Sequence, residues 1–231
     1  MRAFLIVFAI LLATAGSAAA QTPCDHGGNK MAMWQSIQNH CIDHPDANSP
    51  KDCVLVDDHI VIARDAFKPH AFLVVARDEV CGIESDSVRA PDAPNYFAAG
   101  WAHRDLVGAD WTVGLAINAQ HKRSQNRLHI HLDRLCPEVA DALATADVSK
   151  PFALPLLAPY RALAIKAADL PHLDIFDLVA KAEPKVAHGD ESIALVASKA
   201  DPAAAIVLYG ADGTGGGHAE DLFSYGGRCK Q

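Results

Sequence analysis

The chain has 231 residues, half of them hydrophobic, and a formal net charge of −8 at pH 7. Because it is acidic and contains no basic tract, it lacks the electrostatic footprint of a nucleic-acid-binding protein. Its length is sufficient for a complete hydrophobic core. These properties predict a globular protein with no nucleic-acid partner.

The N-terminal segment has the pattern of a secretory leader. Arg2 precedes an apolar run over residues 3–14, and small residues continue to Ala20. A positive start, a short apolar run and an Ala-x-Ala end are typical of a signal peptide, and the run is shorter than the ~20 residues that span a bilayer. We predict a signal peptide over residues 1–20, a single domain over residues 21–231, and export to the periplasm. Whether the leader is removed or kept as an anchor in the inner membrane is left open.

The cysteines indicate disulfide bonds. An even number of cysteines in an exported chain favours disulfides over metal ligands. No pair has Cys-x-x-Cys spacing, which argues against a zinc knuckle or a thioredoxin-like centre. Their spacing alone leaves the pairing open. The six cysteines are at positions 24, 41, 53, 81, 136 and 229.

The first half of the chain predicts a helix, a β-hairpin and a second helix. The hairpin strands are short apolar runs that a turn containing Pro69 separates, as is typical of paired strands. Asn95 is a suitable N-cap for the second helix. These elements are predicted over residues 31–41, 60–63, 71–76 and 96–106.

The second half continues with locally paired strands. A strand over residues 111–118 and the histidine-bearing strand after it are joined by a short polar turn, so they should be antiparallel. Helices fall between groups of strands, and not after every strand, which predicts an α+β fold. The remaining elements are predicted as a helix over 137–146, a strand over 161–166, a helix over 175–182 and a hairpin of 193–197 with 205–209.

The segment around His129 and His131 alternates with period two. In a strand this pattern places alternate side chains on one face and the intervening leucines and isoleucine in a core. A guanidinium binds anions and a neutral imidazole is a competent nucleophile near pH 7, so the pattern predicts attack on a phosphate group. The residues predicted to share the polar face are Gln125, Arg127, His129, His131 and Asp133.

Three motifs of the chain resemble a known family. Leu115–Asn118, Arg123–Asn126 and His129–His131 resemble the histidine-triad hydrolases and transferases, whose signature is His-φ-His-φ-His-φ-φ with φ apolar. The resemblance is closer to the CDP-diacylglycerol diphosphatases, a membrane-associated bacterial branch. It covers most of the chain after the leader, since residues 82–85, 94–97 and 102–105 are also similar, as are the positions of cysteines 41, 53, 136 and 229.

The resemblance implies a fold and a disulfide pattern. The fold would be a histidine-triad-like (HIT-like) antiparallel sheet with flanking helices and a C-terminal α/β extension. Cys41 would pair with Cys53 and Cys136 with Cys229, which leaves Cys24 for Cys81.

The resemblance also implies a reaction. An imidazole would attack the phosphorus of the CMP moiety of CDP-diacylglycerol, phosphatidate would leave, and water would hydrolyse the nucleotidyl-histidine, with no metal or other cofactor. The chain has two histidines where the triad has three, so either can be central. Family members often carry a Gln four residues before the first His of the signature, and Gln125 stands in that relation to His129. We therefore favour His131 as the nucleophile and His129 as its partner. Asn118, Ser124, Gln125 and Arg127 would bind phosphate oxygens.

Two alternatives remain from the sequence. The same histidine pair could bind a metal in a non-enzymatic periplasmic protein, although Arg127 on the same face would repel a cation. A nucleotidyl transferase would use the same intermediate with another acceptor. The liponucleotide substrate implies contact with a membrane surface, for which residues 154–160 and the loop around Ile83 are candidates. The sequence makes no prediction of oligomeric state.

Overall fold

One antiparallel sheet organises the fold. In the computed structural model, which describes residues 24, 29–44, 52–108, 112–145, 152–153 and 160–223, nine strands form this sheet in the order β1-β2-β3-β5-β4-β8-β9-β7-β6. All neighbouring pairs are antiparallel, and the α+β prediction is confirmed at this level. The strands are β1 (Cys53–Val56), β2 (Ile60–Arg64), β3 (Phe72–Ala76), β4 (Val113–Ile117), β5 (His129–Arg134), β6 (Phe152–Ala153), β7 (Arg161–Lys166), β8 (Glu191–Ala197) and β9 (Ala204–Ala211).

Short helices pack on both faces of the sheet. Asn95 caps the second helix as predicted, since its side-chain oxygen accepts a hydrogen bond from the Ala98 N–H at 2.9 Å, and Asp174 caps the fourth in the same way. Within the described ranges no helix is long and apolar enough to cross a membrane. The helices are α1 (Ala32–Ile37), which continues as a π-helical turn (Gln38–Asp43), α2 (Tyr96–Ala102), α3 (Pro137–Ala144) and α4 (Ile175–Ala182).

The two faces of the sheet are covered differently. On one face a continuous core includes Leu128, Ile130 and Leu132 together with residues of α2 and α4. The other face carries two separate apolar groups. The N-terminal group joins α1 to β2 and β3 (Met31, Trp34, Ile37, Cys41, Val61, Ala63, Leu73, Val75). The C-terminal group joins α3 to β4, β8 and β9 (Ala116, Leu135, Val139, Ala140, Leu143, Ala194, Val196, Ile206, Leu208, Leu222 and Phe223 among others).

Strand β5 lies at the boundary between these two groups. His129 pairs with Val75 and His131 with Leu73 on β3, while on the other side His131 pairs with Ala116 of β4. Directly opposed residues in an antiparallel ladder point to the same face. The histidines of β5 therefore occupy the gap between the N-terminal and C-terminal groups, and Ile130 and Leu132 of the same strand are buried in the core on the opposite face.

Disulfides join the N-terminal segment to the sheet. Cys24 is bonded to Cys81 and Cys41 to Cys53, which confirms two of the expected pairs. Cys136 is also disulfide-bonded, and its expected partner Cys229 lies outside the described residues, as does the predicted signal peptide.

The C-terminal part departs from the predicted α/β extension. Strands β7, β8 and β9 pair antiparallel with one another, and β8 pairs with β4 of the histidine-bearing hairpin. They extend the same sheet because both faces of β8 are buried and continue the cores on the two sides of β4. The second half is therefore part of the antiparallel architecture.

Candidate active site

His129 and His131 lie side by side on the buried part of β5. Their ring centroids are 5.1 Å apart and the ring planes are inclined by 76°. Both residues are more than nine-tenths buried. The two imidazoles thus face the same small volume, as the alternation in sequence predicts.

The hydrogen bonding of His129 fixes its tautomer. Its Nδ1 lies 2.8 Å from the carbonyl oxygen of Arg127, and a carbonyl can only accept, so Nδ1 carries the hydrogen and Nε2 keeps its lone pair. Burial, with His131 as a smaller cause, lowers the pKa of His129 to about 4. His129 is therefore neutral at pH 7, with Nε2 in the form that can attack an electrophile.

His131 is bound to a carboxylate. Its Nε2 lies 3.0 Å from an oxygen of Glu220, whereas its buried Nδ1 has no hydrogen-bond partner among the described residues. An ionised carboxylate only accepts, so Nε2 of His131 carries the hydrogen. Although burial opposes it, hydrogen bonds from His131 and His218 hold the pKa of Glu220 far below its usual range.

Lys68 and His218 complete the contacts of Glu220. Lys68 Nζ lies 3.1 Å from the oxygen that His131 binds, and His218 Nε2 lies 2.9 Å from the other oxygen. His218 also contacts Asp221 through Nδ1 at 2.8 Å. The hydrogen bond to Glu220 raises the pKa of His218 despite its partial burial. A network of alternating charge therefore lies against His131.

Asn118 fixes the backbone that carries Glu220. The side-chain oxygen of Asn118 accepts a hydrogen bond from the Glu220 N–H at 3.1 Å. The Glu220 segment, residues 218–223, is also held by the Cys136 N–H, which donates to the carbonyl of Leu222 at 2.9 Å, and by a β-bridge between Leu135 and Phe223. Asn118 contacts the site through this segment.

The strand prediction is wrong before His129. Strand β5 begins at His129, and Arg127 has a φ of 89°, in the left-handed region that a residue with a Cβ rarely adopts. Its guanidinium lies 3.9 Å from the centre of the Trp34 ring and donates to the carbonyl of Arg77 at 3.0 Å. These contacts tie the guanidinium to Trp34 of α1 and to the backbone after β3, while the carbonyl oxygen of Arg127 accepts the hydrogen bond from His129.

The other two predicted phosphate-binding residues lie in the turn before β5. Gln125 donates to the carbonyl of Asn29 at 3.0 Å and accepts from the Met33 N–H at 2.9 Å, so its amide joins the turn to α1. Ser124 is exposed in the same turn. The structure therefore brings together His129, His131 and, through Glu220, Asn118.

An ion pair connects two of the segments that carry the family resemblance. The guanidinium of Arg123 binds both oxygens of Glu84, with an Nη2–Oε1 distance of 2.6 Å, and its Nε donates to Asn126 at 3.2 Å. A bidentate pair of this kind fixes orientation as well as distance. Residues 82–85 and 123–126 therefore form one unit next to the start of β5.

Lys68 and Glu220 are absent from the sequence prediction. They are 152 positions apart, and neither belongs to a local motif that contains the histidines. His218 could be noticed because it follows a glycine-rich run, but a glycine-rich run by itself predicts only a loop. The convergence of these residues depends on the pairing of distant strands.

A cavity of about 480 Å³ lies elsewhere in the molecule. It is lined by residues such as Val88, Phe97, Ile175 and Phe176, which belong to the core under α2 and α4. Because that core covers the opposite face of the sheet, this cavity is separate from the histidine pair.

Comparison with known proteins agrees with the resemblance seen in the motifs. The family model described as CDP-diacylglycerol pyrophosphatase matches residues 28–229 of the chain. The chain belongs to the CDP-diacylglycerol pyrophosphatase family. Both histidines, the turn before them, Lys68 and the Glu220 segment lie within the part that matches this family.

Several named relatives belong with the CDP-diacylglycerol pyrophosphatases. The protein of that name from Yersinia pestis is 35% identical over 126 residues, 50% of this chain and 49% of the relative. The one from Mycobacterium bovis (strain BCG / Pasteur 1173P2) is 28% identical over 160 residues, 63% of this chain and 62% of the relative. A probable CDP-diacylglycerol pyrophosphatase from Mycobacterium leprae is 30% identical over 124 residues, 48% of this chain and 46% of the relative. The chain thus spans about half to three-fifths of the length of these relatives.

Proposed function

We propose that this protein hydrolyses CDP-diacylglycerol to CMP and phosphatidate through a nucleotidyl-histidine, in a HIT-like site on β5. Membership of the CDP-diacylglycerol pyrophosphatase family supports the substrate class. The observation that carries the mechanism is the state of His129, a buried neutral imidazole whose Nδ1–H is bound to a carbonyl. This arrangement leaves the Nε2 lone pair as a nucleophile for phosphorus.

We assign the nucleophile to His129, although the sequence favours His131. In the described residues no group hydrogen-bonds Nε2 of His129, whereas Nε2 of His131 carries a hydrogen that Glu220 accepts. A nitrogen that carries a hydrogen cannot attack until it loses it. The hydrogen bonds therefore favour the register in which Arg127 takes the first position of the triad signature and His129 the central one.

In the proposed first step, Nε2 of His129 bonds to the phosphorus of the CMP moiety as the bond from that phosphorus to the bridging oxygen breaks. His131, in its protonated form, donates its Nε2 proton to the departing oxygen of phosphatidate. Water then attacks the same phosphorus, the N–P bond breaks with its electron pair returning to His129, and the water returns a proton to His131. Alignment and charge stabilisation dominate such transfers, which a rigid strand provides.

The predicted phosphate-binding residues differ in how the structure supports that role. Ser124 is exposed in the turn before β5, and we keep it as a proposed phosphate ligand. Gln125 and Arg127 would have to give up their contacts with the N-terminal segment, Trp34 and Arg77 to reach a phosphate. Asn118 supports the site by holding the Glu220 segment.

The test is incubation of the purified protein with CDP-diacylglycerol in detergent and in H₂¹⁸O. We expect CMP and phosphatidate, with one ¹⁸O in the phosphate of CMP and none in phosphatidate. Intact substrate in the presence of folded protein would contradict the proposal. Label in phosphatidate would mean attack on the other phosphorus, and a CMP ester formed with an added alcohol in preference to CMP would indicate a transferase.

We also propose contact with a membrane surface through Phe67. Of the regions that the sequence suggests, residues 154–159 lie outside the described part, and Ile83 is fully buried in the core. Phe67 instead is 89% exposed in the turn between β2 and β3. Asp65 accepts hydrogen bonds from the N–H groups of Phe67 and Lys68, which fixes the turn with Phe67 outward while Lys68 contacts Glu220.

The Phe67→Ala variant should turn over substrate embedded in vesicles roughly tenfold more slowly, because alanine removes the apolar ring that would insert into the lipid. Turnover of a short-chain CDP-diacylglycerol below its micellar concentration should change less than twofold. Initial rates of CMP release on the two substrates measure this difference. Val56→Ala, at another exposed apolar residue, is the control. An equal loss on both substrates would contradict a role in membrane contact.

The proposed location is the periplasm. The leader-like N-terminus and the disulfides both support export, since disulfides persist in oxidising compartments.

A further inference from the structure

Three nitrogen donors from distant parts of the chain converge on one carboxylate. Lys68 comes from the turn between β2 and β3, His131 from β5, and His218 from the segment after β9. Lys68 and His131 bind Oε2 of Glu220 and His218 binds Oε1, at distances of 2.9–3.1 Å. Donors that surround an anion in this way, next to a nucleophilic imidazole, have the arrangement of a phosphate-binding site.

A diphosphate substrate needs positively charged groups around its phosphates, next to His129 and His131. Its two phosphates carry at least two negative charges, and charge shifts onto the leaving phosphate during the reaction. The guanidinium of Arg127 is stacked on Trp34 and the amide of Gln125 is bound to the backbone near α1. Lys68 is a cation, and each ring nitrogen of His218 contacts a carboxylate oxygen, which can only accept, so His218 carries a hydrogen on both nitrogens. Both side chains already contact the same group as His131.

The carboxylate of Glu220 can leave without unfolding its segment. Its backbone N–H is held by Asn118 and the segment is anchored at Leu222 and Phe223, whereas the side chain is 19% exposed. Rotation about its side-chain bonds would vacate the donors. Asp221 would still face His218, and Asp65 and Asp133 would remain the carboxylates near Lys68 and His131.

We propose that Lys68, His131 and His218 bind one phosphate of the diphosphate, and that Glu220 fills this site as a built-in anion until the substrate displaces it. The proposal rests on the proposed function for the identity of the diphosphate. Displacement has a chemical consequence, since the Nε2–H of His131 passes from Glu220 to the phosphate and can then reach the bridging oxygen. Glu220 thus competes with substrate for the same three donors.

A different role for Glu220 gives opposite results. If Glu220 only positions His131, its removal lowers kcat and leaves ligand affinity unchanged or weaker. If it competes with phosphate, its removal strengthens the binding of a diphosphate and lowers KM. The two roles are therefore separated by a binding measurement that needs no turnover.

The experiment is calorimetric titration of the purified protein with inorganic pyrophosphate. Glu220→Gln keeps the size of the side chain and removes its charge, and we expect it to bind pyrophosphate about tenfold more tightly than the unchanged protein. Lys68→Met should bind it about tenfold more weakly. The matched control is Glu183→Gln, which removes the charge of a carboxylate paired with Arg161 on the part of the sheet formed by β7, and should leave the affinity unchanged.

Unchanged or weaker binding by Glu220→Gln overturns the proposal, as does a Lys68→Met protein that binds pyrophosphate like the unchanged one. The Lys68 variant keeps the test decisive where Glu220→Gln fails to fold. In the kinetic arm, a lower KM for CDP-diacylglycerol with kcat within threefold supports competition, and a large fall in kcat at constant KM overturns it. If the variants bind pyrophosphate as expected but the protein releases no CMP from CDP-diacylglycerol, the phosphate-binding site is supported and the proposed hydrolysis is refuted.

Discussion

Replacement of His129 by alanine should reduce CMP release from CDP-diacylglycerol by on the order of 10⁴-fold or more, since only binding and charge stabilisation would remain. The reason is the state of the ring: burial keeps His129 neutral, with a pKa of about 4, and the carbonyl of Arg127 holds the hydrogen on Nδ1. Steady-state rates measure the loss. Fragmentation mass spectrometry of an acid-free quench should locate a CMP adduct on His129 in the unchanged protein.

The neighbouring histidine provides the internal comparison. His131→Asn should still form the adduct at His129, because that variant keeps the nucleophile and loses the proton donor to the leaving oxygen. His103→Ala is a matched control, since His103 makes the same kind of Nδ1 bond, to the carbonyl of Ala99 at 2.9 Å, at the C-terminal end of α2 and outside the site. An adduct on His131, or full turnover by His129→Ala, would refute the assignment.

The largest expected effect on stability is at Arg89. Arg89 forms an ion pair with Glu191 at 3.1 Å, with the two side chains only 9% and 2% exposed, and it also donates to the carbonyl of Ile83 at 2.9 Å. Removal of one partner of a buried pair leaves a charge with no compensation. We expect Arg89→Met to lower the free energy of unfolding by about 3 kcal/mol, measured by urea unfolding.

The loss should depend on pH. Burial raises the pKa of Glu191 to about 7, and Arg89 opposes that rise. Folded Glu191 therefore binds a proton more tightly than the unfolded chain, so its contribution to stability falls as pH rises from about 4.5 to 7. Without Arg89 the folded pKa should be higher still, and the fall should continue above pH 7. The variant should thus lose more stability at pH 8 than at pH 6.

Arg161→Met is the control for this prediction. Arg161 pairs with Glu183 at the surface, where its side chain is 56% exposed, and exposed pairs contribute about 1 kcal/mol or less. A second variant, Arg89→Met with Glu191→Leu, should regain most of the stability, because it removes both buried charges. Equal losses at Arg89 and Arg161, or no recovery in the double variant, would contradict the buried-charge explanation.

Local sequence patterns were sufficient to predict most of the helices and strands. The predicted bounds of β7 and α4 agree with the structure, and the β2–β3 and β8–β9 hairpins form where short apolar runs flank turns. Asn95 starts α2 because its side chain satisfies a backbone N–H that the helix leaves open. Strand β1 (Cys53–Val56) was missed, because an edge strand of half-exposed residues has no clear alternation.

The site was predictable only in part, for a physical reason. The alternation of β5 places both histidines on one face, and this follows from strand geometry alone. The conformation of Arg127 depends instead on Trp34 and Arg77, which lie far away in sequence. Lys68 and Glu220 meet His131 because β3, β5 and β4 are neighbours and the segment after β9 crosses β4. No short window of sequence contains that information.

The firm attachment of the Glu220 segment determines how fast the site could open. Because Asn118, Leu222 and Phe223 fix the main chain on both sides of Glu220, admission of a ligand would require one side chain to change rotamer. Loops and domains that close over a ligand take microseconds to milliseconds. Release of Glu220 would instead require only that its contacts with Lys68, His131 and His218 break, so the site would open without any movement of the main chain.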